Sequence, residues 1–375
     1  MNLAESAVLA RASGIEFTGD DRLVRRQMLD YLDALGLRRL VAASAPHEAA
    51  GVALAPEWSA SFVADSDTTG LCRYLGLDTE ASVIDLEREI VLAMLAAPRP
   101  LRFPGFAEFL SSVAIRRNIV HAARRTQLAF GTSHAERPET HWTYDEDRGF
   151  TVLPGQSLIE ALRLATQPDA NGGKLYAFSC YRATEYVILL GIAQELERVN
   201  PALLADLQRQ WERKAIMSGR YHDVFLTEFG SMEEPLPARW YVPGDRVWFR
   251  NPDEASADAS GYEGSWVIYL GNGLFANFWK RNDPYSFVRK CVEVWHWRHG
   301  TYVDAEGELR MDEDVVEARV KATMSAPIEL ARVLERMARP RDGRGVYAEG
   351  GCIDVSREFP RQVCPGTAGI VLPRD

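Results

Sequence analysis

The chain has 375 residues, of which 46% are hydrophobic and 26% charged, and its formal net charge is −10. This is the composition of a globular protein with a sizeable core, long enough for one large domain or two to three smaller ones. The acidic balance argues against non-specific binding to nucleic acid or to an anionic membrane, because like charges repel. The longest apolar run, Tyr186 to Ala193, falls far short of the ~18 residues that suggest a spanning helix. The opening "MNLAESAVLARASGIEF" has no basic leader, and Glu5 and Arg11 interrupt its apolar residues, so it does not read as a secretory signal. Five cysteines, an odd number spread thinly, read as reduced thiols in a cytoplasmic protein. Cys352 and Cys364 are the one pair close enough in sequence to suggest a staple.

In chain order, "DDRLVRRQMLDYLDALGLRRLVAA" predicts a helix capped by Asp20 or Asp21. Residues 45–70 read as loop with one short strand. A second helix covers about Ser82 to Ala96 and ends before the proline-marked "APRPLRFPG". A long amphipathic helix follows from Gly105, then a hairpin in "THWTYDEDRGFTVL", a helix from about Gln156 to Thr166, and the loop "QPDANGGK". The helix in "SCYRATEYVILLGIA" stops at Asn200-Pro201, and another runs from Ala202 to about Met217. A β-rich block then predicts strands in "DVFLTEF", "ARWYVPGDRVWFRNPD" and "CVEVWHWRHG", with a hairpin across Asn272-Gly273. One helix over about 312–338 and an irregular tail complete the chain. The order of elements predicts an α+β fold, with helix packed on one face of a curved antiparallel sheet.

Cys180 raises the main functional question. Ser179 is a good N-cap, which makes Cys180 the first helical residue. There the unsatisfied N–H groups and the helix dipole favour a thiolate, as a cysteine nucleophile requires. The competing reading is a small buried residue that only fills space; Cys72 and Cys291 read that way. The tryptophans at 240, 248, 266, 279, 295 and 297 suggest either core packing or an aromatic-lined cleft. Arg182 could favour the thiolate or point to water, and Glu185 reads as a solvated position.

Several stretches together resemble one family. "RRNIVHAA", "THWTYDEDRGFTVL", "LYAFSCYRATEYVILLGIA", "GDRVWFRNPD" and "YEGSWVIYLGNGLFANF" are similar, in order and spacing, to the bacterial protein-glutamine γ-glutamyltransferases, the transglutaminases of spore-forming bacteria. The resemblance covers about Phe103 to His299. It implies a papain-like (NlpC-like) core, with Cys180 as the nucleophile. The chain departs from the family at three positions. Ser179 replaces an acidic residue before the cysteine. Ser265 stands where the family has glutamate, with Glu263 two residues earlier. Asn277 stands where the family has histidine.

Another base is then needed to carry the thiol proton. Among seven histidines, His222, with Asp223 beside it, follows the cysteine at an expected strand start and is the candidate. Asn277 could orient that base or donate to an oxyanion. His296 and His299 form an i, i+3 pair, but a metal site there lacks a third ligand, so no metal or cofactor is expected. The resulting expectation is a cysteine-dependent acyltransferase with catalytic Cys180, His222, Ser265 and Asn277, using a protein or small-molecule acyl donor and an amine acceptor. A cysteine amidase, deamidase or peptidase and a non-catalytic binding module are the alternatives. The expected organisation is a helical extension at 1–98, the core at 99–300, and a helix with irregular tail at 301–375.

Overall fold

The computed structural model describes residues 13–19, 22–42, 50–58, 68–131, 135–341 and 351–373. The chain divides into two compact units, Met1–Val113 with Arg239–Val242, and Ala114–Ala238 with Pro243–Asp375.

The first unit combines strands β1 (Ile15–Phe17), β2 (Ala50–Val52) and β3 (Leu101–Phe103) with helices α1 (Arg22–Ala34), α2 (Leu71–Leu75) and α3 (Val83–Leu95). β1 lies central, antiparallel to β2 and parallel to β3. Ser82 caps α3 by accepting a hydrogen bond from the Asp85 amide at 3.2 Å. Phe17, Phe103 and Phe109 form an edge-packed aromatic cluster. The segment 239–242 is tied in by Trp240 Nε1, which donates to the Ala93 carbonyl at 3.1 Å. The expected caps of α1, Asp20 and Asp21, lie outside the described residues, as does most of the expected loop at 45–70.

Helix α4 (Phe106–Arg125) crosses the division at Val113, so the compact boundary does not fall at residue 98. The prolines of "APRPLRFPG" flank β3 instead of separating domains. The second unit continues with β4 (Ala129–Phe130), the hairpin β5 (Trp142–Asp145) and β6 (Gly149–Val152), α5 (Leu158–Thr166), α6 (Pro168–Asn171) and β7 (Ala177–Phe178). Then come α7 (Cys180–Val199), α8 (Pro201–Arg213) and α9 (Gly219–Phe225). α7 is buried on nearly every side from Ala183 to Ala193, the mark of a central helix. Gly191 permits its close crossing with α4: a Cβ there would stand 2.5 Å from Ile119 Cγ1.

The main sheet has six antiparallel strands in the order β12-β11-β10-β9-β15-β8. They are β8 (Leu226–Phe229), β9 (Arg246–Arg250), β10 (Gly264–Gly271), β11 (Leu274–Phe275), β12 (Tyr285–Ser286) and β15 (Arg357–Pro360). Asn272 and Gly273 both take positive φ, 52° and 74°, giving the tight β10–β11 turn expected of Asn-Gly. Short α10 (Glu254–Ala257) follows β9. The rest comprises α11 (Phe287–Gly300), β13 (Thr301–Val303), β14 (Leu309–Met311), α12 (Glu313–Met324) and α13 (Pro327–Met337).

Four expectations are corrected. "CVEVWHWRHG" is helix α11, not a strand. Its buried residues Phe287, Cys291, Val294 and Trp297 recur at helical spacing, and Ser286 caps it by accepting from the Arg289 amide at 3.1 Å. Only the second half of "DVFLTEF" is strand, because α9 runs to Phe225. The expected helix at 312–338 is two helices, the second begun by Pro327 at its N1 position. The region 301–375 is no appended tail, since β15 sits inside the main sheet between β8 and β9.

Candidate active site

The start of α7 is fixed by local structure on both sides. β7 pairs in parallel with β4, which aims Phe178 inward and delivers the chain to Ser179. Ser179 has extended backbone angles, and its Oγ accepts from the Arg182 amide at 3.2 Å. Ser179 therefore serves as the helix cap. Cys180 is the first helical residue and is half-buried, whereas the other four cysteines are buried. Burial pushes its thiol above the ordinary value. The backbone N–H groups of Trp266 and Tyr181 and the charge of Lys290 pull the other way, and Glu263 adds to the rise. The expectation that the helix end alone would lower this thiol is thus corrected: desolvation outweighs it.

Cys180 opens on a cavity of about 130 Å³ that Ser265 and Asn277 also line. Aromatic rings wall it: Phe130 packs edge-on to Trp279 at 5.3 Å, and Tyr262 edge-on to Trp297 at the same separation. The other tryptophans differ. Trp248 and Trp266 stack at 4.9 Å, and Trp266 meets the ring of Tyr181 edge-on. The cleft and packing readings of the tryptophan cluster therefore apply to different members.

The cavity gathers three of the four residues picked from the sequence. Ser265 lies on β10 opposite Phe249. Asn277 is buried, but its amide is committed to its own loop. Oδ1 accepts from the amides of Trp279 and Lys280 at 3.2 and 3.1 Å, and Nδ2 donates to the Asp283 carbonyl at 2.9 Å. That arrangement holds a turn and uses one of the two Nδ2 N–H donors.

His222 does not line the cavity. It sits on α9, with Nδ1 2.8 Å from Glu358 Oε1. The hydrogen bond to Glu358 raises its pKa, against the opposing effect of burial. Glu358 also accepts a short hydrogen bond from buried Arg246. Burial would raise the Glu358 carboxyl, yet His222 and Arg246 hold it below the usual range. The Arg246 guanidinium lies 4.9 Å from the Tyr181 ring and 4.4 Å from that of Trp266.

Glu185 is 2% exposed, so it is not the solvated position expected. Burial lifts its pKa to about 7, against the pull of Arg182 and Arg246. Arg182 pairs with Oε2 through a short hydrogen bond, and Oε1 has no partner among the described residues. Arg182 thus neither points freely to water nor reaches the thiol.

Three contributors escaped sequence reasoning. Lys290 and Glu293 both line the Cys180 cavity, with Nζ and Oε1 2.9 Å apart. Read as a helix, "RKCVEVWHW" places Lys290, Glu293 and Trp297 on one face, a signal lost when the stretch is read as a strand. Glu358 lies beyond the resembling region, and nothing local marks it. The suggested Cys352–Cys364 staple gives way to a different neighbour: Cys352 Sγ is 3.7 Å from Cys291 Sγ and 3.2 Å from the Met337 carbonyl oxygen. His296 and His299 approach each other, Nδ1 to Nδ1, at 3.1 Å, and His296 Nε2 meets Thr323 Oγ1 at 2.7 Å. Among the described residues no helix is long and apolar enough to cross a membrane.

The family model for protein-glutamine gamma-glutamyltransferase matches residues 73–340, more than half of the chain. A protein of that name from Halalkalibacterium halodurans is 25% identical over 211 residues, 54% of this chain and 67% of that protein. One from Bacillus licheniformis is 26% identical over 200 residues, 52% and 74% respectively. The structure of a transglutaminase from Geobacillus stearothermophilus, without its C-terminal extension, aligns at a TM-score of 0.40 with 20% identity, covering 58% of this chain and 98% of that one.

Proposed function

The chain belongs to the protein-glutamine gamma-glutamyltransferase family and is an acyltransferase, and from that premise we propose that it works through an acyl-thioester on Cys180. The observation that carries this reading is that Cys180, the one cysteine of the five that is not buried, lines a cavity at the first residue of a capped helix. The Cys180 thiolate attacks a carboxamide carbon. The C–N bond breaks, and the nitrogen leaves as ammonia after taking up the proton lost by the thiol. A primary amine then attacks the thioester, giving an amide and restoring the thiol. The donor is a glutamine side chain and the acceptor a lysine or small amine, a reading that rests on the relatives' names and on the aromatic walls of the cleft.

The core is papain-like in this reading. Supporting it, α7 packs against β10 of an antiparallel sheet and presents the cysteine at its N-terminus. The odd number of thinly spread thiols suits a cytoplasmic setting. Ser265 is a neutral wall of the cavity, Asn277 holds the loop that carries Trp279, and His222 acts with Glu358 at a distance from the cavity. Transfer is tested by incubating the protein with a glutamine-rich substrate protein and a fluorescent primary amine, following both amine incorporation and ammonia. Incorporation that disappears in Cys180→Ala supports transfer. Ammonia without incorporation identifies a hydrolase. Neither product, or incorporation unchanged in Cys180→Ala, sinks the cysteine mechanism.

A further inference from the structure

We propose that Lys290 is the charge partner of Cys180, its buried ammonium stabilising the thiolate in a cavity whose lining, among the described residues, includes no histidine. The proposal rests on the reading of Cys180 as the nucleophile and adds how this chain sustains it.

Among the described residues the cavity has three cationic side chains in its lining, Lys280, Arg289 and Lys290. Lys280 is exposed and pairs with Glu317 at 3.1 Å, and Arg289 pairs with Asp283 at 2.6 Å. Lys290 differs because its side chain is only 3% exposed. A lysine is almost never buried to that extent without compensation. Glu293 supplies part of it at 2.9 Å, from the next turn of the same helix. The face of Tyr285, on β12, supplies more, with Nζ 3.8 Å from the ring centroid. An ammonium has three N–H donors, so Glu293 and the Tyr285 face do not exhaust its capacity, and Lys290 lines the same cavity as Cys180.

The carboxylates around Lys290 are otherwise engaged. Glu313 of α12 accepts from the Tyr262 hydroxyl at 2.7 Å, and Glu317 belongs to Lys280. Glu263, before β10, adds a negative field at the thiol, and the Lys290 field opposes it. Burial that disfavours a thiolate also shields these charges from water, so one nearby cation acts more strongly than it would at the surface. The thiolate therefore depends on two backbone N–H groups and one lysine. In this role Lys290 supplies a field and takes no part in bond making.

The test needs no acyl substrate. Alkylation of Cys180 by iodoacetamide is followed across pH by peptide mass spectrometry, in the wild type, Lys290→Met, Lys290→Arg and Glu293→Gln, with Cys180→Ala as blank. Lys290→Met is expected to move the Cys180 profile to higher pH and slow alkylation at pH 8 about tenfold, the equivalent of one pKa unit. Lys290→Arg is expected to stay within about threefold of wild type, because the charge remains. Glu293→Gln removes the neutralising carboxylate and is expected to move the profile the opposite way. It also tests the proposal independently if Lys290→Met does not fold. Superimposable profiles in wild type and folded Lys290→Met, or a Glu293→Gln profile that is unchanged or moved to higher pH, overturn the role of Lys290 and leave the nucleophile intact. A Cys180 that resists alkylation at every pH in every protein, wild type included, overturns the nucleophile itself and the proposal with it.

Discussion

Two clusters of buried charge meet the start of α7, and they are built in opposite ways. Lys290 and Glu293 face a cavity that the Cys180 thiol shares. Arg182 with Glu185, and His222 with Glu358 and Arg246, turn their charges on one another around Tyr181 and off that cavity. The first arrangement leaves a field where a reacting atom can use it. The second spends its field on joining elements: Glu358 of β15 stands directly across from Arg246 of β9 and reaches His222 of α9. The contrast separates a charged pair that shares the thiol's cavity from a histidine–carboxylate pair that does not.

The sharpest break of the comparison is at the thiol. Cys180→Ala is expected to lower amine incorporation on the order of a thousandfold or more, with the midpoint of urea unfolding little changed. A large fall in stability instead would make Cys180 a packing residue. Next comes Glu358→Ala, which strands the guanidinium of Arg246, only 1% exposed. It is expected to cost about 3–5 kcal/mol in urea unfolding, while the pH profile of Cys180 alkylation in the still-folded protein stays where it was. Should that profile move strongly, the two clusters are one.

Glu185 gives a signed pH effect. Its carboxyl is lifted from 4.5 to about 7 in the folded chain, so the folded state holds a proton there that the unfolded state releases. Stability then falls as pH rises from about 4.5 to about 7 and stays reduced above it. Glu185→Gln is expected to be the more stable protein at pH 8, by about 1–3 kcal/mol, with the advantage gone below pH ~4.5. Denaturant melts at both ends of that range check it, and an advantage that persists at low pH contradicts the assignment.

The smallest effect is at His222, whose pKa is raised by Glu358. Its stabilisation is fully present below about pH 6.5, the unfolded value, and fades as pH climbs through the higher folded value. With 28% of the side chain exposed, His222→Ala is expected to cost about 0.5–1 kcal/mol at pH 6 and less at pH 9. A loss of amine incorporation far beyond that of stability would return His222 to the active site.

Much of this was legible from residues whose neighbours in sequence decide their structure. Ser179 announced the start of α7, Asn200-Pro201 its end, and Asn272-Gly273 the tight turn. Cys180, Ser265 and Asn277 were picked out and do share a cavity. What stayed hidden depended on partners remote in the chain. The valines and tryptophans of α11 favour strand locally, and tertiary packing made them a helix, which concealed Lys290. Glu358 gains its meaning from His222 and from Arg246, the latter 112 residues earlier. The amide of Asn277 gave no sign in the sequence that its oxygen and one N–H serve its own loop.

The place of β15 has a consequence for the order of assembly on the ribosome. β8 and β9 each present an edge to it, and about 130 residues separate β8 from β15, as the Ser356–Glu228 hydrogen bond shows. At roughly 5–20 residues per second, the β8 edge waits on the order of 6–26 seconds for the strand that joins them, and the β9 edge, 112 residues before its partner, somewhat less. During that interval the nascent chain carries two open strand edges and an unmatched Arg246, a state prone to pairing with other chains. A late-arriving strand therefore makes this sheet a client for protection during synthesis, and its last contacts close beside the helix that bears the thiol.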